Sequence, residues 1–125
     1  MAIRRFESNG RYSNVVEHNG VLYLTGQLCS NPAGDVKQQT REILEKTEAL
    51  LEKYGSDKHH ILSAQIYLKD INMFKEMNSV WDAWVSQDNE PARLCVEAAL
   101  ASPAFLVEIS AVDISRYLVL PALFS

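Results

Sequence analysis

Asn19-Gly20 stands between two runs of β-forming residues, 15–18 (VVEH) and 21–25 (VLYLT). Asn and Gly both tolerate positive φ, and the tight turn that requires it twists as its flanking strands twist. The chain is therefore committed near its start to an antiparallel pair whose register the turn sets. Beyond it, Val36, Thr40, Ile43, Leu44, Thr47, Leu50, Leu51 and Tyr54 recur at helical spacing, and Gly55 suits a C-terminal cap. Residues 61–68 (ILSAQIYL) read as a strand. A second helix is predicted over 71–85, begun by Asp70 or Asn72, with Phe74, Met77, Trp81 and Trp84 on one face. Residues 93–99 and 106–112 read as two strands either side of Ser102-Pro103. The order β-β-α-β-α-β-β predicts an α+β fold, a mixed sheet with two helices on one face.

Such a sheet leaves its other face open. Apolar residues fall on both parities of the predicted strands, Val96 beside Cys95 and Ile109 beside Ser110. A half-apolar open face on a small domain is usually covered by copies of the same chain, so a homo-oligomer is expected. A length of 125 residues and a hydrophobic share of 47% allow one core and one domain. With 12 basic against 16 acidic side chains the net charge is −4, which repels phosphate backbones and anionic membranes. No apolar run approaches the roughly 20 residues of a membrane span. The start, MAIRRFESNGRYS, has no apolar stretch of the kind that exports a protein, so a cytoplasmic chain is expected, with Cys29 and Cys95 as free thiols.

Several chemistries lack their residues. GxGxxG, P-loop, HExxH and CxxC patterns do not occur, so dinucleotide, nucleotide and structural-zinc sites have no support. His59-His60 are neighbours without further ligands, and His18 adjoins the hairpin turn; no metal is expected. The informative segments are 91–99 (PARLCVEAA) and 106–112 (LVEISAV). Alternation puts Arg93, Cys95 and Glu97 on one face of the first strand, and Glu108, Ser110 and Val112 on one face of the second. Paired as a hairpin about Ser102-Pro103, the strands set Glu97 against Glu108 and Cys95 against Ser110, with Arg93 available as the cation between two carboxylates. Arginine is also the side chain best shaped to grip a carboxylate through two parallel hydrogen bonds. The plainer alternative is a solvated polar stripe or an interface ion pair, with Cys95 a small buried hydrophobe.

PARLCVEAAL followed by LVEISAV resembles the C-terminal signature of the RidA family, the YjgF-like reactive-intermediate deaminases. Gly10-Arg11-Tyr12-Ser13, Leu24-Thr25-Gly26-Gln27-Leu28 and the segment 67–74 (YLKDINMF) match the family in the same order, so the resemblance runs from about Arg11 to Val112. Together with MNSVWDAWV it is similar to a divergent branch. The resemblance implies a chorismate-mutase-like α+β fold, a homotrimer with inward-facing sheets, and clefts between subunits. It implies cofactor-independent hydrolysis of 2-imino acids or their enamine tautomers to 2-keto acids and ammonia, the 2-iminobutanoate/2-iminopropanoate deaminase type.

Carried onto this chain, the resemblance makes Arg93 the grip on the substrate carboxylate and Glu108 the group that orients water or moves a proton. Cys95 lines the cleft through its backbone, Tyr12 closes it from a loop, Thr25 stands where the family usually has Ser, and Gly26 lets the backbone approach the ligand. Cys29 replaces a common Pro, the loop at Gly34-Asp35 is short, and Ser110-Ala111-Val112-Asp113 departs from the usual acidic ending. Residues 113–125 form a tail beyond the resemblance, apolar from Val119. Two other functions use the same residues. A non-catalytic trimer that binds small carboxylate metabolites needs Arg93 but not Glu108. RNA cleavage is opposed by the net charge and by the lack of His or Lys beside Arg93.

Overall fold

The computed structural model describes residues 2–115. One six-stranded sheet is formed by β1 (Arg4–Ser8), β2 (Ser13–His18), β3 (Val21–Gln27), β4 (Ile61–Leu68), β5 (Ala92–Glu97) and β6 (Val107–Ile114). Two helices, α1 (Val36–Lys53) and α2 (Phe74–Trp84), cover one of its faces. The spatial order is β1-β2-β3-β6-β4-β5, antiparallel throughout except for the parallel β4–β5 pair. The α+β class and the mixed sheet expected from the sequence are thus observed.

The turn at Asn19-Gly20 has the required geometry, with φ of 52° and 77°, and pairs His18 with Val21. Helix α1 starts in a reciprocal cap: Asp35 accepts from the Gln38 backbone, and the Gln38 side chain accepts from the Asp35 backbone. Its apolar stripe buries Ile43, Leu44 and Leu51 against Val15, Leu22 and Leu24 of the hairpin and Ile66 and Ile109 of the central strands. Met77 and Trp81 of α2 complete this core.

Four expectations need correction. Strand β1 was not foreseen, because RRFES offers one apolar residue and no alternation; a charged edge strand has little hydrophobic signature. Helix α2 begins at Phe74, since Ile71–Met73 is a 3₁₀ turn capped by Asp70, and Phe74 is exposed rather than in the core. Most consequential, β5 and β6 do not form a hairpin. Strand β4 lies between them, with Leu68 opposite both Glu97 and Val107. The segment 98–106 has ample length to arch over the end of β4, which spans two strand spacings of about 4.8 Å each. Its ends are anchored there by Ala98 N–H to Leu68 O (2.9 Å) and Lys69 N–H to Leu106 O (3.0 Å). Asp113 and Ile114 belong to β6, so the tail set apart by sequence starts later; residues 116–125 lie outside the described residues.

Candidate active site

The sheet has a helix face and an open face, and alternation decides which side chain goes where. In β4, Ala64, Ile66 and Leu68 are buried under the helices while Ser63, Gln65 and Tyr67 point the other way. In β6, Val107, Ile109 and Ala111 are buried, and Glu108, Ser110 and Val112 take the open face. Tyr67 therefore stands opposite Glu108, and Gln65 opposite Ser110, whose hydroxyl donates to Gln65 Oε1 at 3.0 Å. The open face also exposes Tyr23, Leu94 and Val96, each more than two-fifths accessible.

A bulge in β3 shapes the site. Leu24 pairs with Ala111 and Gln27 with Ile109, so Thr25 and Gly26 together face a single residue of β6. The extra residue brings Gly26 against the Glu108 carboxyl group. A Cβ built on Gly26 would fall 2.8 Å from Glu108 Cδ and nearer still to Oε2. Only glycine leaves that space to the carboxylate. Gly26, Tyr67, Glu108 and Ser110 line a cleft of about 430 Å³ whose rim is the arch of residues 98–101. Glu108 and Gly26 were foreseen, and Thr25 adjoins them on the bulge. Tyr67 and the arch were missed, although the polar odd positions of ILSAQIYL carried the signal for Tyr67.

Arg93 is elsewhere. It shares the helix face with Cys95 and Glu97, as alternation predicted, but that face is opposite to the one bearing Glu108. Its Nη1 donates to Asn78 Oδ1 of α2 at 2.8 Å, and its guanidinium lies 5.3 Å and 5.8 Å from the ring centroids of Trp81 and Phe74. Glu97 accepts the Ile71 backbone N–H at 2.9 Å. The predicted Glu97–Glu108 and Cys95–Ser110 apposition, with Arg93 as the intervening cation, is thus overturned: β4 separates the two strands. Cys95 packs against the core, and burial pushes its thiol pKa up while Arg93 draws it down less. Cys29 is buried, its pKa likewise raised by burial. Tyr12 is half exposed in the β1–β2 loop, where Asn9 Oδ1 accepts its backbone N–H at 3.1 Å.

Among the described residues no three His, Cys, Asp or Glu side chains gather as a metal site. His60 Nδ1 pairs with Asp57 at 2.7 Å and His59 Nδ1 with Ser86, so both histidines serve the 3₁₀ turn Lys58–His60 and its neighbours. No helix among these residues is long and apolar enough to cross a membrane. What remains chemically is a carboxylate in an open-face cleft and, on the other side of the same sheet, an arginine free of any acidic partner among the described residues.

Known proteins share this architecture. The profile of the Endoribonuclease L-PSP family matches residues 2–114. The chain is 45% identical over 112 residues to the RutC family protein YoaB of Escherichia coli K12, covering 90% of this chain and 97% of that one. A crystal structure of a YjgF-family member from Neisseria meningitidis superposes with a TM-score of 0.90 at 44% identity, covering 93% of this chain and 97% of the other. A Rid-family structure from Yersinia pestis superposes with a TM-score of 0.83 at 29% identity over 90% and 99% of the two chains.

Proposed function

The chain belongs to the YjgF/RutC (Endoribonuclease L-PSP) family, and from that premise we propose that it hydrolyses 2-imino acids and their enamine tautomers to 2-keto acids and ammonia. The observation that carries the proposal is the Gly26–Glu108 contact: a bulge and a missing side chain hold an acid/base group at the wall of a cleft of substrate size. An imine carbon is already electrophilic, so catalysis needs a positioned water and one proton carrier. Glu108 accepts a proton from water as its oxygen bonds to the imine carbon, and returns it to the nitrogen. That gives a carbinolamine; the proton of its new hydroxyl then passes by way of Glu108 to the amine, the C–N bond breaks as the carbonyl forms, and ammonia leaves, so no cofactor enters the balance.

Arg93 holds the substrate carboxylate. Because Arg93 and Glu108 occupy opposite faces of one sheet, the two meet across a contact between copies: the arginine at the β5 edge of one protomer faces the cleft of the next. A homotrimer with open faces turned inward satisfies this and covers Tyr23, Leu94 and Val96. Tyr12 closes the cleft from its loop, Thr25 and the backbone at Cys95 line it, and the ligand is a small 2-imino or 2-keto acid. An RNA substrate fits less well, since the chain carries net charge −4 and the cleft presents a carboxylate.

The test generates 2-iminopropanoate in situ and follows its hydrolysis by semicarbazide competition. Wild type should accelerate hydrolysis, Arg93→Ala should lose the acceleration through KM, and Glu108→Gln through kcat. Wild-type rates equal to buffer would remove this substrate class. The same absence of acceleration, with carboxylate binding that Arg93→Ala abolishes, would leave a binding protein instead, and unchanged turnover in Glu108→Gln would remove Glu108 from the reaction.

A further inference from the structure

We propose that Asn78 is a positioning residue that restrains the Arg93 guanidinium without neutralising it, keeping its charge and most of its hydrogen-bond donors for a ligand carboxylate. This rests on Arg93 being the carboxylate-binding group, as proposed above.

Arg93 leaves edge strand β5 on the helix side and meets α2. A half-buried guanidinium needs acceptors for its N–H groups, and a carboxylate is the usual one. Here the acceptor is Asn78 Oδ1 at 2.8 Å, and the faces of Trp81 and Phe74, at 5.3 Å and 5.8 Å, supply the remaining attraction. No acidic side chain among the described residues comes within ion-pair distance of it. Arginine has only donors, so the amide must present its oxygen. One of the five N–H groups is thereby used, and the positive charge is untouched.

The amide is a poor choice if the contact serves stability alone. An aspartate is the same size, would sit at the same place and would bind the guanidinium more tightly through a charge-assisted pair. It would also occupy the fork and cancel the charge that a ligand carboxylate seeks. An alanine would do the opposite, leaving the charge intact and the side chain less restrained. The two variants therefore separate the two roles.

The experiment compares wild type, Asn78→Asp, Asn78→Ala and Arg93→Ala. Pyruvate affinity is measured by calorimetry, KM and kcat on 2-iminopropanoate, and stability by thermal unfolding. Asn78→Asp should weaken pyruvate binding and raise KM by about tenfold or more, with kcat little changed and unfolding at the wild-type temperature or above it. Asn78→Ala should cost only about threefold in both. The reverse order, alanine worse than aspartate, or wild-type affinity in Asn78→Asp while Arg93→Ala loses binding, overturns the role of Asn78 alone. Undiminished binding in Arg93→Ala, or no binding of millimolar pyruvate by the wild type, overturns the role of Arg93 and this inference with it.

Discussion

At the scale of single residues, the site depends on an atom that is missing. The backbone of Gly26 is not in the left-handed region; what the residue contributes is room for the Glu108 carboxyl group. Gly26→Ala should therefore fold, because the group in its way is the far end of a mobile side chain. The carboxylate should swing out of the cleft. We expect turnover on 2-iminopropanoate to fall by at least about tenfold, as for a displaced acid/base group, with the unfolding temperature within a few degrees of wild type. A variant with full turnover would show that the position of Glu108 is not critical. Arg93 makes a similar point. Its segment announces an arginine suited to carboxylates, but only the neutral Asn78 and two aromatic rings around it show that its charge is left uncompensated.

At the scale of elements, local signals were reliable wherever the decisive contacts were local. The hairpin turn, the span of α1 and the strand Ile61–Leu68 all rest on interactions between residues near in sequence. The start of α1 is such a case. Asp35→Ala removes one half of the reciprocal cap and should cost about 1 kcal/mol of stability, seen as a lower midpoint in urea, while turnover is unchanged because α1 lies on the face away from Glu108. An unaltered midpoint would mean the loop at Gly34 caps the helix by itself. Pairing between elements was less legible. Neighbouring strands in sequence usually pair, and that expectation failed for β5 and β6 because α2 returns the chain parallel to β4 on its free edge, leaving β6 the gap between β3 and β4. The bulge at Thr25-Gly26 was hidden for the same reason, since it exists only relative to β6.

At the scale of the whole molecule, two kinds of carboxylate set the pH dependence of stability in opposite directions. Glu7 accepts from Tyr54 at 2.5 Å, Lys53 at 3.0 Å and Asn14 at 3.2 Å, which lowers its pKa to about 2. The Ser30 backbone N–H, followed by that of Asn31, lowers Glu42 to about 2 as well. Both contributions are present above about pH 4.5 and fade as pH falls toward 2. Asp113 is the reverse. It is fully buried between β6 and the turn after α1, and burial raises its pKa to about 6 against the weaker opposing effect of Ser56. Ser56 has one hydrogen and two acceptors, Asp113 and the Ile114 carbonyl at 2.9 Å; a protonated Asp113 supplies the missing hydrogen. A raised carboxyl pKa stabilises the fold below the unfolded value near 3.8, and that stability is lost as pH rises through about 6. The unfolding free energy should thus peak near pH 4.5 and decline by on the order of 2 kcal/mol toward pH 7. Asp113→Asn should flatten that decline and be the more stable protein at pH 7. A wild-type curve already flat between pH 4.5 and 7 would contradict it.

The amino-acid sequence by itself determined the class of fold and most element boundaries, because periodicity, turn residues and caps act within a few residues of one another. It also placed Arg93 and Cys95 on one face of their strand, since alternation is a property of any strand. Which side of the sheet that face became was decided by tertiary structure alone. Strand β6 settles beside β3 and β4 because that order buries Val107, Ile109 and Ala111 under both helices. The same order sends Glu108 to the open face and Arg93 to α2. Contacts between residues far apart in sequence, such as Gly26 with Glu108 and Asn78 with Arg93, follow from that strand order, and no local pattern encodes it.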